Sequence, residues 1–206
     1  MADETKQLSN DTVVAIAVTK TGNYPTSKCV SISLAWGPLD ATDSSDIESV
    51  KWNISVKWPS PWQDTTIDFQ PETINHMRKN TLSIDPCRSN PEPAEKVVVY
   101  SQIRDVLESL ILKKSPSLIF VSMNPHIEIA SLIHFLYQEC GYLFTPDVVE
   151  SFATIMRNTP AEVGAEIDAL ATTKCKSLSS IYANPFDTKY RAYQLFWKYS
   201  LLRRQK

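Results

Sequence analysis

The sequence predicts an α/β fold, a three-layer arrangement in which a mixed sheet is flanked by helices, and three observations carry that expectation. Residues 12–19, 28–36 and 50–58 are strand-like and close enough in the chain to form an antiparallel meander. Residues 117–122 are a short, largely apolar segment between two stretches with helical spacing, an order that puts this strand parallel to a neighbour in the same sheet. After Asp187 the chain closes with a long segment rich in aromatic and aliphatic residues that suits a final helix. With 206 residues, 43% of them hydrophobic, the chain can bury a sizeable core in one domain, expected over 12–206 behind a polar, mobile tail at 1–11.

Taken in order, Thr12 to Thr19 is almost continuously apolar and β-branched, the signature of a strand covered on both faces. Gly22 and Pro25 break it into a loop. In Lys28 to Trp36, Val30, Ile32 and Leu34 alternate with Ser31, Ser33 and Ala35, so one face of the second strand is expected to be wetter than the other. Gly37-Pro38 ends it, and the acidic, Ser-rich stretch Asp40 to Glu48 reads as a solvated loop. Val50 to Trp58 has the cleanest period-two alternation, with Trp52, Ile54, Val56 and Trp58 opposed to Lys51, Asn53, Ser55 and Lys57. A connection over 59–70, stiffened by Pro59 and Pro61, leads to a short helix opened by Pro71, and Thr81 to Glu95 reads as a loop. Lys96 to Lys114 carries Val99, Ile103, Val106, Leu107, Leu110 and Ile111 at helical spacing, a helix with one apolar face, and is stopped by Ser115-Pro116. Beyond the strand at 117–122, a helix is expected from His126 to Cys140, with Ile127, Ile129, Ala130, Ile133, Leu136 and Tyr137 inward and Gly141 as C-cap. Tyr142 to Thr145 is expected to include a short strand, Val148 to Arg157 a helix, and Pro160 to Thr172 another amphipathic helix. Asp187 is placed to cap the last helix, and the basic end at Lys198, Arg203, Arg204 and Lys206 suits a helix C-terminus.

Composition excludes several functions. Lys and Arg number 21 against 23 Asp and Glu, so no global positive field gathers nucleic acid, and any such binding is expected to be local and weak. Cys29, Cys87, Cys140 and Cys175 lie far apart and no secretory leader pattern is present, which points to free thiols in a cytoplasmic or nuclear protein that is not secreted. No apolar run nears the roughly 20 residues of a bilayer span, so no membrane partner is expected. The cysteines and histidines show no zinc-site spacing; His126 and His134 are eight residues apart rather than at i, i+4, which leaves them surface or core roles. Trp52 and Trp58 read as core rather than as a base-stacking platform.

The chemistry-bearing segments form an ordered set. The first strand runs into Ala17-Val18-Thr19-Lys20-Thr21-Gly22, followed by Val30-Ser31-Ile32-Ser33. A second segment is Val121-Ser122-Met123-Asn124-Pro125-His126-Ile127-Glu128, a third Ala183-Asn184-Pro185-Phe186-Asp187-Thr188, and Asp68-Phe69-Gln70-Pro71-Glu72-Thr73 lies between. In this order they resemble the motifs of the DEDD 3′-to-5′ exonuclease superfamily, the RNase T-like and proofreading-type enzymes, across residues 13–200. The resemblance implies a ribonuclease H-like fold and, for active members, four carboxylates holding two Mg²⁺ with a His or Tyr as base.

Carried over residue by residue, the first-strand pair falls on Ala17 and Thr19, the second-motif Asp on Glu128, the base on Ala183 and the third-motif Asp on Thr188. One carboxylate survives in register, and Asp187, one residue off, is turned by about 100° on a helix. Glu128 itself reads as an exposed first-turn acid that favours the helix dipole. The expectation is therefore a catalytically inactive exonuclease-fold protein with no metal and no cofactor, acting as a binding or scaffold subunit in nucleic-acid metabolism. Its partner is expected to be a protein, self-association included. Two alternatives stand beside it: an active nuclease using shifted carboxylates such as Glu128, Asp147, Glu150 and Asp187, or a structural assembly protein, as of a virus.

Overall fold

The computed structural model describes residues 11–22, 27–56, 94–112, 117–176 and 187–205. The strands are β1 (Thr12–Lys20), β2 (Cys29–Pro38), β3 (Glu48–Asn53), β4 (Leu118–Ser122) and β5 (Val148–Ser151). The helices are α1 (Lys96–Leu112), α2 (Glu128–Cys140), α3 (Phe152–Arg157), α4 (Ala161–Cys175) and α5 (Thr188–Arg204), with a 3₁₀ turn at Ser44–Asp46. One sheet runs in the order β3-β2-β1-β4-β5. The expected meander is there, β1 and β2 pairing antiparallel and β2 with β3 likewise, while β4 joins β1 in parallel and β5 extends the parallel half.

β1 is the middle strand, buried from Val13 to Val18, because both its faces meet a helical layer. Val14, Ile16 and Val18, with Ile32, Leu34 and Phe120, pack on Ile103 and Leu107 of α1 and Leu132 and Leu136 of α2. Val13, Ala15 and Ala17, with Ala35 and Val121, pack on Tyr193, Phe196 and Trp197 of α5 and Ile167 and Ala171 of α4. The side-chain volumes are complementary: the strand alanines leave room for the large rings of α5, where Phe196 and Trp197 meet edge to face with centroids 5.8 Å apart. Gly37 lets the Ser44–Asp46 turn close over β2, since a Cβ there would stand 2.6 Å from the Asp46 carbonyl oxygen.

Several expectations change. The Ser31 and Ser33 face of β2 is dry, both residues being buried under α5, so hydroxyls in the alternation marked a polar interior rather than solvent. The polar face of β3 is also covered, Lys51 and Asn53 being buried, and the strand ends at Asn53 rather than at Trp58. Residues 142–145 are not a strand, and Val148–Ser151, expected to open a helix, is a strand paired with Ile119 to Ser122. The β-branched pair Val148-Val149 suits that edge, and Phe144 anchors the approach with its ring edge-to-face on Phe120 at 5.1 Å. In α2 the buried face is Ile129, Leu132 and Leu136, while Ala130 and Tyr137 look outward. Gly141 caps α2 with φ 65°, the left-handed conformation glycine favours. The expected tail at 1–11 (all but Asp11), the connection and short helix over 59–78, the loop at 81–93, and Cys87 and Ala183 lie outside the described residues. Among the described residues no helix is long and apolar enough to cross a membrane.

Candidate functional site

The site forms where β1 outruns its neighbour. β4 stops at Ser122, opposite Ile16, so two residues on Val18 presents its amide and carbonyl beyond the last β4 partner. Glu128, the first residue of α2, fills the gap: its Oε1 accepts from the Val18 amide at 3.4 Å and its Oε2 from the Asn124 amide at 3.1 Å. Arg191, in the first turn of α5, comes from the other helical layer. Its guanidinium donates to Glu128 Oε1 at 3.3 Å, to the Val18 carbonyl at 3.3 Å and to Thr19 Oγ1 at 3.4 Å. Carboxylate and guanidinium together thus satisfy both backbone groups of Val18, as a longer β4 would have done.

Glu128 is 7% exposed, which corrects the expectation of a solvated first-turn acid. Burial pushes its carboxyl above the ordinary value, opposed by the amide of Asn124, the charge of Arg191 and the amide of Val18. The Arg191 side chain keeps 36% of its exposure, so the pair sits at the wall of the protein rather than deep in its centre.

Beside this pair lies a hydroxyl network. Ser33 Oγ donates to Thr188 Oγ1 at 3.0 Å, and Thr188 Oγ1 donates to Ser31 Oγ at 3.2 Å, all three residues being buried. Across the β1–β2 ladder Ser33 stands opposite Ala17 and Ser31 opposite Thr19. Ala17, Thr19, Glu128 and Thr188 are therefore brought to one end of the sheet from three elements, and Ala183 lies outside the described residues. Asp187 has other work: Oδ1 caps α5 by accepting from the Lys189 amide at 2.8 Å, and Oδ2 pairs with Lys51 Nζ at 2.6 Å, with side chains 14% and 6% exposed. On the opposite face, Lys20 Nζ donates to Ser131 Oγ at 2.9 Å, and burial holds its ammonium below the usual lysine range.

The alternative carboxylates do not assemble. Asp147 is exposed, Glu150 is ion-paired with Arg203 near the C-terminal end of α5, and Glu128 and Asp187 each face a cation. His126 and His134 are exposed, and among the described residues no group of three or more His, Cys, Asp or Glu gathers. A pair of Mg²⁺ ions needs several anionic oxygens. The described donors here are one carboxylate already bonded to a guanidinium, together with three interbonded hydroxyls and that of Thr19, which also faces the guanidinium. They do not fit such a metal pair.

Sequence reasoning missed Arg191 and Lys51 as parts of this site, and placed Ser31 and Ser33 beside the first-strand motif without foreseeing their bonds to Thr188. The one available signal was Arg191 itself, a charge between Tyr190 and Ala192 in a helix otherwise buried along most of its first half, three residues past Thr188 and so on its face.

No protein-family model matches the chain, and no curated protein matches it in sequence. Solved structures match it in fold. The Mg²⁺- and Mn²⁺-bound form of S. pombe Pop2p superposes with TM-score 0.57 at 11% identity, over 93% of this chain and 82% of that one. The nuclease domain of 3′hExo, a DEDDh family member bound to rAMP, gives 0.52 at 9% identity, over 99% of this chain and 95% of that one. A chain from the structure of the yeast NOT1 MIF4G domain co-crystallized with CAF1 gives 0.50 at 8% identity, over 96% and 80%. The fold is the ribonuclease H-like α/β arrangement expected from the sequence, as found in DEDD-type exonucleases.

Proposed function

We propose that this chain is a catalytically inactive exonuclease-fold protein that serves as a binding or scaffold subunit, its ancestral metal centre rebuilt as a metal-free joint between β1, α2 and α5. The observation that carries the reading is Arg191. Its guanidinium bonds the one carboxylate left at the positions where the resembled family keeps its metal ligands. A divalent ion would have to displace that cation and shed its own water for a single Glu128, while Ala17, Thr19 and Thr188 offer no charge in return.

The active alternative has less support, because Asp147, Glu150 and Asp187 are each solvated or ion-paired away from Glu128. A protein partner is favoured over nucleic acid by the net charge of −2, which supplies no attraction for phosphate backbones. The fold neighbour crystallized with NOT1 supports the idea that such a fold can present a protein-binding surface.

The test is degradation of end-labelled single-stranded DNA and RNA by the purified chain with Mg²⁺ or Mn²⁺. No turnover above a buffer control is expected. Metal-dependent turnover that disappears in Glu128→Gln would overturn the reading.

A further inference from the structure

The sheet ends differently at its two edges. Beyond β3 the chain pairs with itself: the Ser55 amide donates to the Ala94 carbonyl at 2.8 Å and the Ala94 amide to the Asn53 carbonyl at 3.0 Å. Beyond β5 nothing does the same. Among the described residues, 143–150 make no backbone hydrogen bond other than those that tie β5 to β4. An edge of unpaired N–H and C=O groups is a template for another strand, and chains that keep such an edge free do so with exposed charge, proline or a covering element.

The β5 edge lacks most of these devices. Val148 and Val149 are 38% and 41% exposed, and the Glu150 carboxylate is turned away to Arg203 of α5. Pro146 and the start of α3 at Phe152 bound the open stretch to 147–151. Two polar groups on it have capacity to spare. Asp147 is exposed, and its carboxylate has no hydrogen bond or ion pair among the described residues. Ser151 Oγ accepts from the Thr154 amide at 3.3 Å and from the Thr154 hydroxyl at 3.1 Å, which leaves its own proton uncommitted.

We propose that β5 is a self-association edge, pairing antiparallel with β5 of a second copy of this chain about a two-fold axis through Val149. A closed two-fold contact uses the same patch on both copies, so two strand edges can meet only antiparallel. The side chains then choose the register. With Val149 opposite Val149 of the other copy, Val148 meets Glu150 and Asp147 meets Ser151, so each free carboxylate takes an uncommitted hydroxyl proton. Shifting so that Val148 faces Val149 sets Asp147 directly against Glu150, a like-charge pair. Shifting the other way sets Asp147 against Phe152, which is buried, and leaves the Ser151 proton facing Val148. A second copy is the occupant because it brings the matching deficits: an open edge, an exposed valine on the axis and a carboxylate for Ser151. The ladder is short and covers less than the roughly 1,000 Å² of a durable interface, so the dimer is reversible, with a Kd of about 10–100 µM. The proposal rests on the reading that the chain works through a protein partner. Its failure is distinct from failure of the inactivity reading, since sedimentation tests the edge and strand degradation tests the lost chemistry.

The experiment is sedimentation velocity of the full chain from about 5 to 500 µM, which brackets that Kd. A monomer that passes into dimer over this range is expected. Val149→Lys sets two ammonium groups face to face across the axis and should keep the chain monomeric. Leu170→Lys, at an exposed apolar position on α4, should leave the association unchanged. Tryptophan fluorescence checks that each variant is folded. Should Val149→Lys not fold, Asp147→Ala, at an exposed position, takes its place and should weaken association about tenfold by removing two symmetric hydrogen bonds. Disulfide trapping reads the register: under oxidation Val149→Cys should give a covalent dimer above the background of the parent's own thiols, and Val148→Cys should not, because its counterpart lies a diagonal away. The proposal is overturned if the chain stays monomeric at about 500 µM, if the folded edge variant associates as the parent does, or if Val149→Cys cross-links no more readily than Val148→Cys.

Discussion

Replacing Arg191 by Met keeps the hydrocarbon stem on α5 and removes the guanidinium, so it tests directly whether the joint carries stability. Glu128 would keep its bonds from the Val18 and Asn124 amides but lose its counter-charge, and the Val18 carbonyl and Thr19 hydroxyl would lose their donor. Removing one partner of a buried pair costs about 3–5 kcal/mol. With 36% of the Arg191 side chain exposed, water can take part of its place, so the expected loss lies at or below the lower end of that range, about 2–3 kcal/mol near neutral pH. The pH dependence has a definite sign. Glu128 titrates above its unfolded value of 4.5, so between the two values the native state binds more protons, and its contribution to stability falls as pH rises through that window. Without Arg191 the folded value rises further and the window extends upward. The variant should therefore be most destabilised near pH 8 and approach the parent near pH 4, where Glu128 is largely protonated in both. Urea unfolding followed by tryptophan fluorescence measures this. Combining the change with Glu128→Gln should recover about 1–2 kcal/mol relative to the sum of the single losses, since the two groups are in contact. A variant within about 0.5 kcal/mol of the parent near pH 8, or a loss independent of pH, would refute the account of the joint.

Ala17→Asp restores a carboxylate at a position 2% exposed in the packed face under α5, and it should cost more than about 3 kcal/mol, with no recovery of thermal stability on adding Mg²⁺ or Mn²⁺. A metal-dependent rise in its melting temperature would show that the ligand set can be rebuilt by one change. Lys51→Met breaks the pair with Asp187 but leaves the α5 cap; because both side chains are largely buried, a loss of about 3 kcal/mol is expected in chemical denaturation, and Asp187→Asn in the same background should recover part of it.

What could be read in the sequence was what depends on neighbours along the chain. The apolar run of β1, the period of two in β2 and β3, the apolar run of β4 and the Asp187 cap are local signals, and the antiparallel meander with β4 in parallel follows from them by the crossover. Val148–Ser151 was misread because four residues are too few to distinguish the start of a helix from an edge strand; the deciding contact is with β4, some thirty residues earlier. Glu128 was misread for a related reason. A first-turn acid is solvated by default, and what buries this one is the bare end of β1 and an arginine from the far end of the chain.

The joint also bears on what an acid introduced at the positions of the resembled motifs would meet. Ser31, Ser33 and Thr188 share one chain of hydroxyl bonds, while Thr19, Val18, Glu128 and Arg191 share one guanidinium. A carboxylate placed at position 17, 19 or 188 would enter a place whose neighbours are already hydrogen-bonded, and two described cations at this end of the sheet, Arg191 and Lys51, are already paired with Glu128 and Asp187. Arg191 is committed to Glu128, so the added acid competes with it for the same donor rather than cooperating. Each reversal is costly alone, and the costs fall only if several are made together with removal of the arginine. On this argument the arrangement is held in place by its own hydrogen bonding. The variant that most nearly reopens a cation site is then a combination: Arg191→Ala with acids at both 17 and 19, measured for Mn²⁺ binding rather than for stability.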